Sequence, residues 1–129
     1  MTAGKLAIGD KVTAVYKTGS YIGEVVDVSG VAKAAVRILA VIEHPTQGNL
    51  HQPMDPNVSF FHQRRALAFQ EIALMPLSTI EPYGGNVPDY QESLKRALKS
   101  EMLKMSDLEA WAKRSLQELE QLQLEYFPN

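Results

Sequence analysis

The sequence predicts a mainly β protein with an α-helical extension: a small, SH3-like antiparallel barrel followed by two C-terminal amphipathic helices. Three observations support this fold class. Apolar residues alternate with a period of two in the first half, turn residues separate the alternating segments, and the apolar period becomes helical after the Gly84-Gly85 pair. We therefore place the barrel domain at residues 1–85 and the helical region at residues 86–129.

The predicted strands are short and are joined by tight connections, except at one point. Gly23 falls inside the second strand, where a glycine often marks a bulge or a sharp bend. Short, bent strands of this kind favour a barrel, because closure removes the exposed edges of a sheet. The predicted strands begin with residues 11–18, 21–28 and 34–42. Residues 65–74 fit a strand or a helix by periodicity alone, and we favour a strand because Pro76 closes the segment. A one-turn connection and a short last strand are predicted at 77–83.

Helix signals dominate the C-terminal third. Pro88 and Asp89 suit a helix start, because proline needs no N–H donor there and the carboxylate meets the positive end of the helix dipole. Ser106 and Glu109 form a capping-box pattern, which predicts a second helix from Ser106. The region is therefore a helical hairpin or a long helix broken near Ser106. Each apolar stripe must be covered by the other helix, the barrel, a second copy or a partner.

Composition narrows the function classes. The 129 residues are 45% hydrophobic and 22% charged, which is typical of a globular protein. Cysteine is absent, which excludes disulfides, thiolate metal sites and a cysteine nucleophile. The net charge of −2 disfavours non-specific nucleic-acid binding. The chain has no apolar run long enough for a signal peptide or a membrane span, so we expect a cytoplasmic protein without direct membrane insertion.

The candidate site is the segment from His44 to Arg65, which reads HPTQGNLHQPMDPNVSFFHQRR. It connects two predicted strands, and loops beyond about 12–15 residues are uncommon unless they are functional or disordered. It contains all three histidines of the chain, two adjacent phenylalanines and an Arg-Arg pair. We predict a partner-binding role for His44, His51, Phe60, Phe61, His62, Arg64 and Arg65.

A metal site is the alternative interpretation of the histidines. His44, His51 and His62 are seven and eleven residues apart, whereas compact zinc motifs place ligands two to five apart. The simpler interpretation is that these side chains hold a long loop in shape. No nucleophile motif, carboxylate pair or phosphate loop stands out, so the sequence predicts no catalytic residue and no cofactor.

The arginines and aromatics carry two further expectations. One member of the Arg64-Arg65 pair is expected to pair with a carboxylate such as Glu43 or Asp27, and the other is free to contact an acidic or phosphate group. Several aromatics are candidates for a peptide-binding groove of the SH3 type. We assign Phe69 and one residue of the Phe60/Phe61 pair to the core, and the groove candidates are Tyr16, Tyr21, Phe60, Phe61 and Phe69.

Three strings of this sequence are similar to a known family. GDKVTAVYKTGSYIGEVVDV, RILAVIEHPTQGNLHQP and FFHQRRALAFQE, with the final helical segment, resemble the kinase-associated protein B family of Bacillus over roughly residues 6–127. The resemblance implies an antiparallel β domain with a helical extension and no established catalytic residues. It also implies a link to a sensor histidine kinase of the sporulation pathway. Some members are described as lipoproteins, but a chain without cysteine has no thioether lipid, so membrane association would come only through a partner.

The leading hypothesis is therefore a regulatory interaction protein that modulates a sensor histidine kinase pathway and catalyses no reaction. Its partner would be a protein, with a homodimer through the C-terminal helices as a further option. Two alternatives come from other classes: a small barrel that binds nucleic acid, and a metal-dependent enzyme that uses His44, His51 and His62.

Overall fold

The computed structural model describes residues 6–28 and 30–129, which form one five-stranded antiparallel sheet and one long α-helix. The elements in chain order are β1 (Lys11–Tyr16), β2 (Gly19–Asp27), β3 (Lys33–Glu43), β4 (Ile72–Pro76), a 3₁₀ turn (Leu77–Thr79), β5 (Glu81–Pro82) and α1 (Tyr90–Tyr126). The strands lie in the order β4-β3-β2-β1-β5, so the first four form a meander and β5 returns to the far side of β1.

The prediction of a closed barrel is wrong, because the sheet stays open among the described residues. In these residues β4 pairs with β3 alone and β5 pairs with β1 alone, so the two outer strands do not meet. β5 has only two residues, and its Pro82 has no N–H to donate to another strand. The fold class is therefore a mainly antiparallel sheet with a helical extension.

Gly23 forms the bend that the sequence predicts. The pairing register between β2 and β3 shifts between Ile22 and Gly23, as at a β-bulge. A Cβ at this position would collide with the Val36 side chain and lie 2.6 Å from the Arg37 carbonyl oxygen. The close approach of β3 therefore requires glycine, and the bend curves the sheet around its core.

The core lies on one face of the curved sheet. Alternate residues of β1 and β2 point into it, as their period of two predicts. β3 supplies the largest share, because it is the longest strand and lies inside the sheet, between β2 and β4. The buried core consists of Val12, Ala14, Tyr21, Val25, Val36, Ile38, Val41, Met75 and Ala97.

The first turns of α1 belong to this core. The Asp89 side chain accepts a hydrogen bond from the Glu92 backbone N–H at 3.1 Å, which caps the helix where the sequence predicts its start. Ser93 is 1% exposed, and its Oγ accepts a hydrogen bond from the Val41 N–H at 2.9 Å. This bond satisfies a buried backbone donor of β3, so Ser93 fastens the helix start to the sheet.

The prediction of two C-terminal helices is wrong, because within the described residues α1 is a single helix of 37 residues. It contains no glycine or proline, and an interior serine costs only about 0.5 kcal/mol relative to alanine. A break at Ser106 would give up backbone hydrogen bonds that the continuous helix keeps. A capping-box pattern therefore starts no helix when the residues before it already favour one.

The described residues divide into two compact units, one ending at Leu98 and the other spanning Lys99–Asn129. The first unit contains the sheet, the long loop between β3 and β4, and the first turns of α1. The second contains the rest of α1. In the described part of the chain, no helix combines the length and the apolar composition that crossing a bilayer requires.

Candidate functional site

The long loop comprises residues 44–71, between the end of β3 and the start of β4. The Gln47 side chain ties its two arms together. Its Oε1 accepts from the Arg64 N–H at 2.8 Å, while its Nε2 donates to the Arg64 and Pro45 carbonyl oxygens at 2.9 and 3.1 Å. The Gly48 N–H also donates to the His62 carbonyl oxygen at 2.9 Å. The loop is therefore closed by a side-chain amide that substitutes for strand pairing.

Two tyrosines fix the returning arm of the long loop at Leu67. The buried Tyr21 Oη accepts a hydrogen bond from the Leu67 N–H at 3.2 Å, and the Tyr90 O–H donates to the Leu67 carbonyl oxygen at 2.6 Å. Burial raises the pKa of the Tyr21 phenol above 10.0, partly offset by the bond from Leu67. Burial also raises the pKa of Tyr90, and the Glu71 carboxylate adds to that rise. Both phenols therefore stay neutral and keep the loop against the sheet.

A shallow cleft of about 480 Å³ lies between the long loop and the β1–β2 turn. The turn consists of Lys17 and Thr18, since Tyr16 pairs with Gly19, so β1 ends two residues before the predicted strand end at residue 18. Thr18 Oγ1 accepts from the Thr46 N–H at 2.8 Å, which joins the turn to the loop. The cleft, which we call the basic cleft, is lined by Lys17, Thr18, Asn49, Leu50, His51, His62 and Arg64.

The basic cleft concentrates positive charge. Lys17 and Arg64 carry formal charges, and among the described residues no carboxylate lines the cleft. In the described part of the chain, the recorded salt bridges involve neither of these cations. The Arg64 Nη2 donates to the Gly48 carbonyl oxygen at 3.1 Å, and its Nε is buried without a hydrogen-bond acceptor. An anionic group in the cleft would meet complementary charge.

Among residues 6–28 and 30–129, neither Arg64 nor Arg65 belongs to a recorded salt bridge. Arg64 turns to the Gly48 carbonyl instead, and Arg65 is exposed. Glu43 accepts a hydrogen bond from the Ser20 hydroxyl at 3.1 Å. The predicted strand began at Arg65, whereas β4 begins only at Ile72, so both arginines lie in the long loop.

Phe60 and Phe61 are surface residues of the long loop. They are 64% and 53% exposed, and the Phe60 ring meets the His62 ring edge-on, with centroids 4.3 Å apart. Phe61 lies over Gly48, whose φ of +95° and nearby ring leave no room for a Cβ. The loop therefore holds two aromatic rings beside the basic cleft and presents them to solvent.

Other aromatic assignments from the sequence are wrong. Phe69 was expected in the core but is 51% exposed and contacts Tyr90, with ring centroids 5.7 Å apart. Tyr21 was a groove candidate but is 1% exposed and belongs to the core. The core is filled by β-branched residues, Met75 and Tyr21, so it needs no phenylalanine from the loop.

The three histidines do not gather at one point. His51 and His62 line the basic cleft, whereas His44 lies outside it, with its Nδ1 3.0 Å from the Pro45 carbonyl oxygen. Across residues 6–28 and 30–129, no three His, Asp or Glu side chains are arranged to hold a metal ion. The imidazoles of His51 and His62 lie beside the charged side chains of Lys17 and Arg64, so the basic cleft suits a bound anion better than a bound metal ion.

Sequence patterns missed several residues of this region. Gln47, Lys17 and Thr18 carry no motif, and they matter because chain segments far apart in sequence meet there. Tyr90 reads as an ordinary helix residue, although it orients Leu67 of the loop. The sequence feature that could have pointed to this region is Gly48, which follows Gln47. A glycine in a long loop often marks a turn with positive φ.

Comparison with known proteins gives consistent results. The chain matches the model of the family described as "Kinase associated protein B" over residues 16–127. It is 45% identical over 120 residues to a protein of Bacillus subtilis (strain 168) named "Kinase-associated lipoprotein B", covering 92% of this chain and 93% of that one. It is also similar to the crystal structure of kinase-associated protein B from Bacillus cereus, with a TM-score of 0.67, 41% identity and coverage of 95% and 98%.

Proposed function

Because the chain belongs to the kinase-associated protein B family, we propose that it is a regulatory protein that binds a protein partner and catalyses no reaction. The partner we propose is a sensor histidine kinase of the sporulation pathway, acting in the cytoplasm. The family name supports a kinase as the associated protein. The structure supports binding through one particular surface, which is formed by the long loop.

The observation that carries this proposal is a loop that is both fixed and exposed. The Gln47 amide and the contacts at Leu67 hold the loop in one conformation, yet Phe60 and Phe61 lie largely in solvent. Neighbouring exposed aromatic rings form the kind of apolar patch that marks interaction sites, and aromatic residues with arginine dominate the binding energy of interfaces. A preorganised loop also lowers the entropy lost on binding.

The charge beside these rings indicates which part of a partner fits. The basic cleft adjoins the aromatic pair, since His62 belongs to the cleft and contacts Phe60. A matching partner segment places an apolar side chain on the rings and an acidic side chain in the cleft. Such complementarity speeds association and fixes orientation.

Binding of the purified kinase region to the immobilised full chain, measured by biolayer interferometry, tests this proposal. We expect Phe61→Ala and Arg64→Gln each to weaken binding at least tenfold, because central aromatic and arginine residues each contribute more than about 1.4 kcal/mol. The matched controls are Val31→Ala and Lys33→Gln, which remove an exposed apolar group and a charge near the other end of β3.

The two controls should bind like the wild type, since the length of β3 places them about 30 Å from the β1–β2 turn, beside which the basic cleft lies. Unchanged circular dichroism of all four variants excludes unfolding as the cause. The proposal is overturned if the wild type does not bind the kinase region, or if the loop variants bind as tightly as the controls.

The C-terminal helix is the basis of a second part of the proposal. The unit Lys99–Asn129 exposes large apolar side chains along α1, including Trp111 and Leu119 at 68% and 61%. We propose that a second copy of the chain covers them, which makes the protein a homodimer. A homodimer would carry two copies of the binding surface and would therefore bind a dimeric partner more tightly, through avidity.

A further inference from the structure

The exposed part of α1 carries a seven-residue repeat. From residue 101 to residue 126, apolar or aromatic residues occupy six of the eight positions that are spaced alternately by four and three, and the exceptions are Glu101 and Ser115. This spacing over more than three heptads is typical of a coiled-coil seam. The eight positions form two sets: the first set is Met105, Ala112, Leu119 and Tyr126, and the second set is Glu101, Leu108, Ser115 and Leu122.

We infer that two copies of this helix pair antiparallel in one defined register, with the seam centred between residues 113 and 114. This inference rests on the homodimer proposed above and specifies its geometry. In an antiparallel pair, each member of one set faces a member of the other set on the opposing helix. In the register that keeps all eight positions opposed, the numbers of any two facing residues add to 227. The paired segment is about 39 Å long.

Side-chain size supports this register. It places Met105 opposite Leu122 of the partner subunit and Leu108 opposite Leu119 of the partner subunit, so large apolar groups meet in four layers. Ala112 meets Ser115 of the partner subunit, which puts the small residues together at the centre. In a register shifted by one heptad toward the N-terminus, Glu101 would face Leu119 of the partner subunit, and Met105 would face Ser115 of the partner subunit. Well-matched layers bury more apolar area without leaving cavities.

Charge supports the antiparallel direction. In this register Lys104 flanks the seam opposite Glu125 of the partner subunit, and in the described residues Lys104 belongs to no salt bridge. A parallel pair would set Glu101 against its own copy in the seam and would bring the two acidic C-terminal turns side by side. Opposed helix dipoles favour the antiparallel pair as well. Its end layers combine Glu101 with Tyr126 of the partner subunit, where the phenol O–H can donate to the carboxylate.

Sedimentation equilibrium of the full chain and two matched variants tests whether the seam forms the dimer. The wild type should have twice its 14.3 kDa monomer mass. Leu119→Glu should weaken dimerisation at least about 100-fold, because it buries an unpaired carboxylate in the seam. Leu124→Glu is the control, since Leu124 has a similar exposure of 67% but lies on the opposite helix face. A monomeric wild type, or equal loss in both variants, overturns the homodimer itself.

Disulfide formation in the cysteine-free chain tests direction and register separately from dimerisation. The double variant Leu108→Cys/Leu119→Cys should give a covalent dimer under mild oxidation, because each new thiol faces the other type across the seam. Each single variant should stay uncrosslinked, since its two thiols lie about 16 Å apart along the axis, beyond disulfide reach. A dimer in which the single variants crosslink is parallel, and this would overturn the inference while leaving the homodimer intact.

Discussion

Removing the phenolic hydroxyl of Tyr21 tests whether its hydrogen bond with Leu67 holds the long loop against the sheet. Tyr21 is 1% exposed, and its Oη accepts the Leu67 N–H at 3.2 Å. Tyr21→Phe keeps the ring but leaves this partly buried donor without an acceptor, which costs about 1–3 kcal/mol. Tyr90→Phe removes the donor to the Leu67 carbonyl oxygen, and we expect a smaller loss of about 1 kcal/mol because a carbonyl tolerates a missing donor better.

Urea unfolding followed by circular dichroism measures both losses, and the melting temperature should fall by about 4–8 °C for each kcal/mol. Tyr83→Phe is the matched control: its O–H also donates to a backbone carbonyl, that of Asn86 at 2.6 Å, but in an exposed turn. Its effect should stay within about 0.5 kcal/mol. The double variant of Tyr21 and Tyr90 should deviate from additivity, because both phenols bind the same residue.

Hydrogen exchange locates the effect. The Leu67 amide should exchange faster in Tyr21→Phe, while the amides of β2 should change little. If Tyr21→Phe destabilises the protein no more than Tyr83→Phe does, the bond to Leu67 contributes nothing, and the account of how the loop is held is refuted.

Three other perturbations have definite expected outcomes. Because the folded-state pKa values of Tyr21 and Tyr90 are raised, the stability that these two phenols contribute should be constant from pH 8 to about pH 10 and should fall as the pH rises further, which urea midpoints across pH 8–12 will measure. Gly23→Ala should destabilise the fold by about 1–3 kcal/mol in thermal melts, because a Cβ would strike β3, whereas Gly84→Ala adds a methyl group to open space and should have little effect. Ser93→Ala should cost about 1–3 kcal/mol in chemical denaturation, because it removes the acceptor of a buried β3 amide; a loss below about 0.5 kcal/mol would contradict that role.

Local patterns predicted β1, β2, β3 and the helix start well, whereas the strand predicted at residues 65–74 is mostly loop, since β4 begins only at Ile72. The alternation in β1 and β2 and the β-branched run of β3 reflect burial of one sheet face, which is a property of each strand by itself. Gly23 was predicted to bend the sheet, and the register shift beside it confirms this. Asp89 caps α1 where it was expected, because capping depends only on neighbouring residues.

The wrong predictions have two different causes. The break at Ser106 failed for a local reason, because the residues before the capping-box pattern already favour a helix. Barrel closure depended on contacts between distant parts of the chain, because it required β4 and β5 to meet. Phe69 was expected in the core on hydrophobicity alone, but Tyr21 and Met75 already fill that space. Sequence patterns do not count the volume that other segments have taken.

The segment from His44 to Arg65 shows what the sequence alone predicts and what only the tertiary structure determines. Its composition and length were enough to single it out as the candidate binding loop. Only the tertiary structure decided that Arg64 and His62 meet Lys17 in one cleft, that His44 stays outside it, and that the phenylalanines face solvent. Periodicity and turn chemistry act over a few residues, whereas a site is formed by hydrogen bonds and packing between segments that the chain brings together only when it folds.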